Sequence, residues 1–137
     1  MEDEKKNRIR SFKDLIVYQN SYKAMLLVMK DILPDLPQSE KYDLRDQLSR
    51  SCKAIPRLIA EGYAKRHQKA GFQKYLDDAM AECNETLVGI EQVKDIYRIK
   101  VELCNNLIET YDITGRQLYR LRESWQQFKS GNKDGKG

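Results

Sequence analysis

Apolar residues recur along most of the chain at steps of three and four, the period of a helix that buries one face. Phe12, Leu15, Ile16, Tyr22, Met25, Leu26, Met29 and Leu33 predict a first helix over Ser11 to Leu33. Ser11 and Asp14 stand in capping-box spacing at its start, and Pro34 and Pro37, which lack the backbone donor a helix needs, end it. Leu44, Leu48, Cys52, Ile55, Ile59 and Gly62 or Tyr63 predict a second helix from Ser39 to Arg66. Pro56 inside this pattern predicts a kink near Cys52 or a break, and Gly62 either a close crossing or the helix end. After a polar, basic turn over Lys65 to Gly71, a third helix is predicted over Phe72 to Tyr97 and a fourth over Val101 to Phe128. Gly115 inside the fourth predicts close packing. Four long amphipathic helices with short connections imply an all-α fold, an up-down-up-down antiparallel four-helix bundle.

The apolar positions spread beyond one stripe. Val17, Tyr18, Leu27 and Val28 widen the first helix, and Ile99, Ile113 and Tyr119 widen the fourth. A face broader than a bundle core requires predicts self-association, against the plain alternative of singly scattered surface residues. The division expected is a charged, flexible segment over 1–10, the bundle over 11–129 and a disordered Gly- and Lys-rich tail over 130–137.

Composition adds limits. The 137 residues are 40% hydrophobic and 34% charged, with seven Gly and three Pro, which suits one helical domain. No apolar run approaches the roughly 20 residues of a membrane span, and the charged start leads into no signal-peptide core, so a cytoplasmic protein is expected. Cys52, Cys83 and Cys104 lack metal-ligand spacing and read as small core fillers.

The net charge of +4 is an average over opposed blocks. Leu44 to Lys69 carries +5, Ala70 to Asp95 carries −4, and Ile96 to Lys129 carries +2. Arg50, Lys53 and Arg57, at steps of three and four, line one side of the second helix away from its apolar face. Arg45, Lys65 and Arg66 extend the positive field toward the helix ends. Such presented cations suit phosphate contacts, with no motif for base reading. The competing reading pairs the same charges with the acidic third helix or a neighbouring subunit, and Glu61 with Arg57.

Catalytic signatures are missing. The sole His67 has Ala64 three residues before it, so the Glu-x-x-His pairs of a di-iron bundle cannot form. No phosphate-binding glycine loop is present. Asp78, Glu82 and Glu85 share a helical face, a spacing common on exposed helices. A non-enzyme is expected, with no cofactor, no metal, no membrane and no small-molecule substrate.

Pro37-x-x-Glu40-x-Tyr42-x-Leu44-x-x-Gln47-Leu48-x-Arg50-Ser51, followed by Ile55-Pro56-x-x-Ile59-Ala60-Glu61-Gly62, resembles the four-helix-bundle family of 23S rRNA intervening-sequence proteins. Phe12-x-Asp14-Leu15-x-Val17-Tyr18 is similar to that family's first helix, and Tyr75-Leu76-x-x-Ala79 with Glu82 and Glu85 to its third. Ala54 and Leu58 stand where the family usually has Ser and Asn, and Glu82 and Cys83 replace a small residue and Ser. Without that Asn, a polar network joining Arg50 and Glu61 loses a member. The resemblance implies a ring-shaped homo-oligomer, expected as a homopentamer, with Glu40, Gln47, Arg50 and Glu61 as the polar residues of the motif. It also implies kinship with the accessory variability proteins of diversity-generating retroelements, basic pentamers that bind nucleic acid and a reverse transcriptase. The function expected is therefore a non-enzymatic oligomeric bundle that binds RNA or a ribonucleoprotein, an accessory role to a reverse transcriptase included, through its basic second helix. The alternative is a protein-interaction scaffold whose charges serve assembly.

Overall fold

A computed structural model of the chain describes residues 8–136, with side chains described as far as Trp125. Four helices form, with no strand among the described residues: α1 Ile16–Leu27, α2 Leu44–Ala64, α3 Gly71–Gln92 and α4 Val101–Lys136. π turns at Val28–Ile32 and Val93–Tyr97 prolong α1 and α3. Single 3-10 turns occupy Phe12–Asp14, Leu33–Asp35 and Gln38–Glu40. The flexible ends expected over 1–10 and 130–137 fall largely on residues 1–7 and on side chains beyond Trp125, which lie outside the described residues.

The Ser11–Asp14 capping box is present, but it closes the 3-10 turn rather than α1. Leu15 follows in extended backbone (φ −73°, ψ 129°), so the helix starts afresh at Ile16. This break shifts the phase of the predicted face. Ile16 and Tyr22, expected inward, are exposed, while Val17 and Val28, expected to widen the outer surface, are buried. The stripe that packs is Val17, Ser21, Ala24, Val28 and Ile32, with small residues at its centre.

α2 begins at Leu44, not Ser39, because 3-10 and turn geometry intervene. Glu40 bridges the gap: Leu44 N–H donates to its carboxylate at 3.3 Å, and the Tyr97 hydroxyl donates to the other oxygen. Pro56 is buried and α2 runs through it without a break. The predicted inward set Leu44, Leu48, Cys52, Ile55, Ile59, Gly62 and Tyr63 is buried throughout.

Two glycines permit the α2–α3 packing. A Cβ on Gly62 would lie 2.6 Å from the Tyr75 Cβ, and one on Gly89 would lie 2.5 Å from a Leu48 methyl. Gly115 differs from expectation, since its Cβ would meet only the Cys83 Cβ at 4.0 Å, an ordinary contact. α3 also packs along α4, and α1 lies against both α2 and α4. Ser51 and Thr86 share a hydroxyl–hydroxyl hydrogen bond of 2.8 Å between α2 and α3, which satisfies polar groups that burial would otherwise penalise. Phe72 meets Tyr63 and Trp125 edge-to-face, with centroids 6.1 and 5.0 Å away. These rings fill the core where α2 ends and α3 begins.

Candidate nucleic-acid interface

The cations singled out on α2 divide into three groups. Arg50, Lys53 and Arg57 do share one side of the helix, with Arg50 and Arg57 exposed and Lys53 half-buried. At about 100° per residue, Asp43, Asp46 and Glu61 fall in the same sector. Three carboxylates thus accompany three cations. Arg50 Nε lies 3.2 Å from Asp46. Arg57 Nε donates to the Lys53 carbonyl at 3.4 Å, and no ion pair joins Arg57 to Glu61 among the described residues. Arg45 lies five residues before Arg50, about 140° away around the helix, and belongs to another face.

Lys65 and Arg66 form the third group, in the turn between α2 and α3. Lys65 Nζ donates to the Tyr75 hydroxyl at 2.7 Å and sits 5.0 Å from that ring's centroid. The hydrogen bond to Tyr75 holds the Lys65 ammonium above its ordinary pKa. Arg66 donates to the Tyr63 carbonyl at 2.8 Å, and its guanidinium lies 4.0 Å over the Tyr63 ring. Arg66 therefore rests on an aromatic face, and Lys65 is held at the hydroxyl edge of its ring. The Arg66–Tyr63 spacing is that of helical neighbours, but the seat of Lys65 on Tyr75 comes from the third helix and has no local signal in the sequence.

The turn itself is tightly built. Gln68 N–H donates to the Lys65 carbonyl at 3.0 Å, and Gly71 N–H to the Gln68 carbonyl at 3.1 Å. Ala70 adopts φ 60°, and any Cβ on Gly71 would overlap the Lys65 carbonyl oxygen. His67 and Lys69 are exposed on this turn, as is Lys74 one turn into α3.

The motif residues have separate tasks. Glu40 ties the start of α2 to Tyr97, and its carboxylate raises the Tyr97 pKa by accepting that hydrogen bond. Gln47 donates to Asp43 at 3.0 Å. Arg50 pairs with Asp46, and Glu61 is exposed three turns further along α2, so Arg50 and Glu61 form no common network.

Asp78, Glu82 and Glu85 lie near enough to affect one another. Burial first, then Glu85 and Asp78, push the Glu82 carboxyl up, while Arg50 across the α2–α3 contact opposes the shift. No group of three or more His, Cys, Asp or Glu among the described residues is arranged to hold a metal ion. Cys52 and Cys83 are pushed up to about 12 by burial, so these thiols stay protonated. No described helix is long and apolar enough to cross a membrane.

No curated protein matches the chain. The sequence profile of the family described as 23S rRNA-intervening sequence protein matches residues 13–120, spanning all of α1 to α3 and more than half of α4. On that match the chain belongs to the 23S rRNA-intervening sequence protein family.

Proposed function

We propose that this chain is a non-enzymatic, ring-forming bundle of the cytoplasm that binds RNA or a ribonucleoprotein through the basic surface where α2 ends and the turn to α3 begins. An up-down-up-down order fits the contacts at the helix ends. Gly62, late in α2, meets Phe72 and Tyr75, early in α3, and Gly89, late in α3, meets Leu48. Lys94 likewise reaches Asn105 at 3.2 Å, while Asp77 pairs with Arg122 at 2.6 Å.

The observation that carries the RNA reading is the stretch from Gly62 to Leu76, which contains Lys65, Arg66, Lys69 and Lys74 and no Asp or Glu. A local excess of cations favours a polyanion, and the likeness to accessory variability proteins, which bind nucleic acid, points to RNA among polyanions. Self-association is supported by the exposed Ile16, Leu27, Ile96, Ile113 and Tyr119, and the homopentamer is the assembly the family resemblance suggests. A reverse transcriptase is the protein partner that the likeness to accessory variability proteins suggests.

A second reading, the assembly scaffold, is favoured by one observation: Arg50 already faces Asp46 and feels Glu82. Light scattering after size exclusion, with and without structured RNA, separates the two. The RNA-binding ring predicts a multiple of the 16.1 kDa subunit that gains mass with RNA. A multimer that ignores RNA supports the scaffold, and a monomeric mass rejects the ring in both readings.

A further inference from the structure

The two basic groups on α2 are not equivalent as anion sites. The Arg50–Lys53–Arg57 side carries as many carboxylates as cations once Asp43, Asp46 and Glu61 are included, and Arg50 is paired. A phosphate arriving there displaces an existing ion pair and meets three negative charges. The α2–α3 turn has no such competitor within its own segment. Its acidic flanks are Glu61, whose charge also acts on Lys65, on one side and Asp77 and Asp78 on the other, with Asp77 held by Arg122 of α4 at 2.6 Å.

The turn cations are also positioned in advance. Lys65 rests against Tyr75 and Arg66 against Tyr63, so part of the side-chain entropy that phosphate binding would remove is already lost. Gly71 and the left-handed Ala70 fix the backbone between them. α3 starts here with no acidic residue in its first turn and no side-chain cap, so the positive end of its dipole adds to the same field.

From this contrast we infer that the RNA contact is the α2–α3 turn, with Lys65, Arg66, Lys69 and Lys74 reading phosphates and no base. The inference rests on the RNA reading above and narrows it. Base stacking needs a free aromatic face. At the turn, Tyr63 is only 9% exposed and covered by Arg66, and Tyr75 is half-buried with its hydroxyl taken by Lys65. Recognition is therefore of backbone charge and does not depend on sequence.

The test is titration of the full chain with fluorescently labelled RNA hairpins of equal length and unrelated sequence, over a series of salt concentrations. The variant Lys65→Ala/Arg66→Ala/Lys69→Ala/Lys74→Ala is expected to bind at least tenfold more weakly and to lose about three to four units of salt slope, near one per phosphate contact. Lys69→Ala/Lys74→Ala leaves both tyrosine seats intact, so it guards against misfolding, and is expected to lose about two units. Arg50→Ala/Lys53→Ala/Arg57→Ala is expected to keep affinity and slope. Loss in this last variant with retention in the turn variants overturns the inference while leaving RNA binding in place. A tenfold difference between hairpin sequences overturns the phosphate-only contact, and displacement by polyglutamate as effective as by unlabelled RNA assigns the turn to acidic protein instead. A wild-type chain that binds neither hairpin removes the RNA reading itself, and the inference with it.

Discussion

Two glycines on the packed helices show how residue type and surroundings combine. In each, alanine would gain roughly 1 kcal/mol of helix propensity. At Gly62 the new methyl lies 2.6 Å from the Tyr75 Cβ and 3.0 Å from the Phe72 ring, and overpacking of this kind costs about 1–3 kcal/mol. At Gly115 only an ordinary 4.0 Å contact waits. Gly62→Ala is therefore expected to destabilise by up to about 2 kcal/mol and Gly115→Ala to stabilise by about 0.5–1 kcal/mol, read from urea unfolding midpoints. Equal shifts of one sign would contradict the packing account. Sequence spacing cannot distinguish these glycines, because each sits within an apolar helical pattern. Only the partner helix does.

Between elements, the tie from Glu40 to Tyr97 is the contact that joins the entry of α2 to the exit of α3, 57 residues apart in sequence. Tyr97→Phe removes the donor while keeping the ring. Loss of this hydrogen bond to the carboxylate is expected to lower the midpoint of chemical denaturation. Glu40→Gln/Tyr97→Phe should then cost less than the two single changes added together, the mark of direct coupling. Strict additivity would show that the tie does not contribute.

The elements also show where sequence reasoning succeeded. α2 was legible because its large apolar residues hold one unbroken phase, and Pro56 did not disturb it. α1 was not, because Leu15 resets the backbone and Ser21 and Ala24 occupy the core without an apolar signal of their own. At the candidate interface, Lys65 and Arg66 could be named from charge alone. The seat of Lys65 on Tyr75 was hidden because it comes from another helix, whereas the neutrality of the Arg50 side is readable once carboxylates on the same helical face are counted with the cations.

Across the whole molecule, charge couples stability to pH. Glu82 is pushed up by burial and by Glu85, so the folded chain holds its proton more tightly than the unfolded chain. Stability contributed by this group is present at acid pH and is lost as pH rises from the ordinary carboxylate range through the raised value. Glu82→Gln is expected to melt higher than wild type at neutral pH, with the gap closing below the ordinary carboxylate range. Thermal melts across that interval check the sign, and a variant that melts lower at neutral pH would show that the attraction to Arg50 dominates.

The three cysteines, all buried and kept as neutral thiols, have a practical consequence. The folded chain presents no native thiolate to a maleimide reagent. A single cysteine introduced on the exposed α2–α3 turn, at His67 for example, would then carry a dye or crosslinker alone. Distances from that turn to a labelled partner become measurable without first removing any residue from the core.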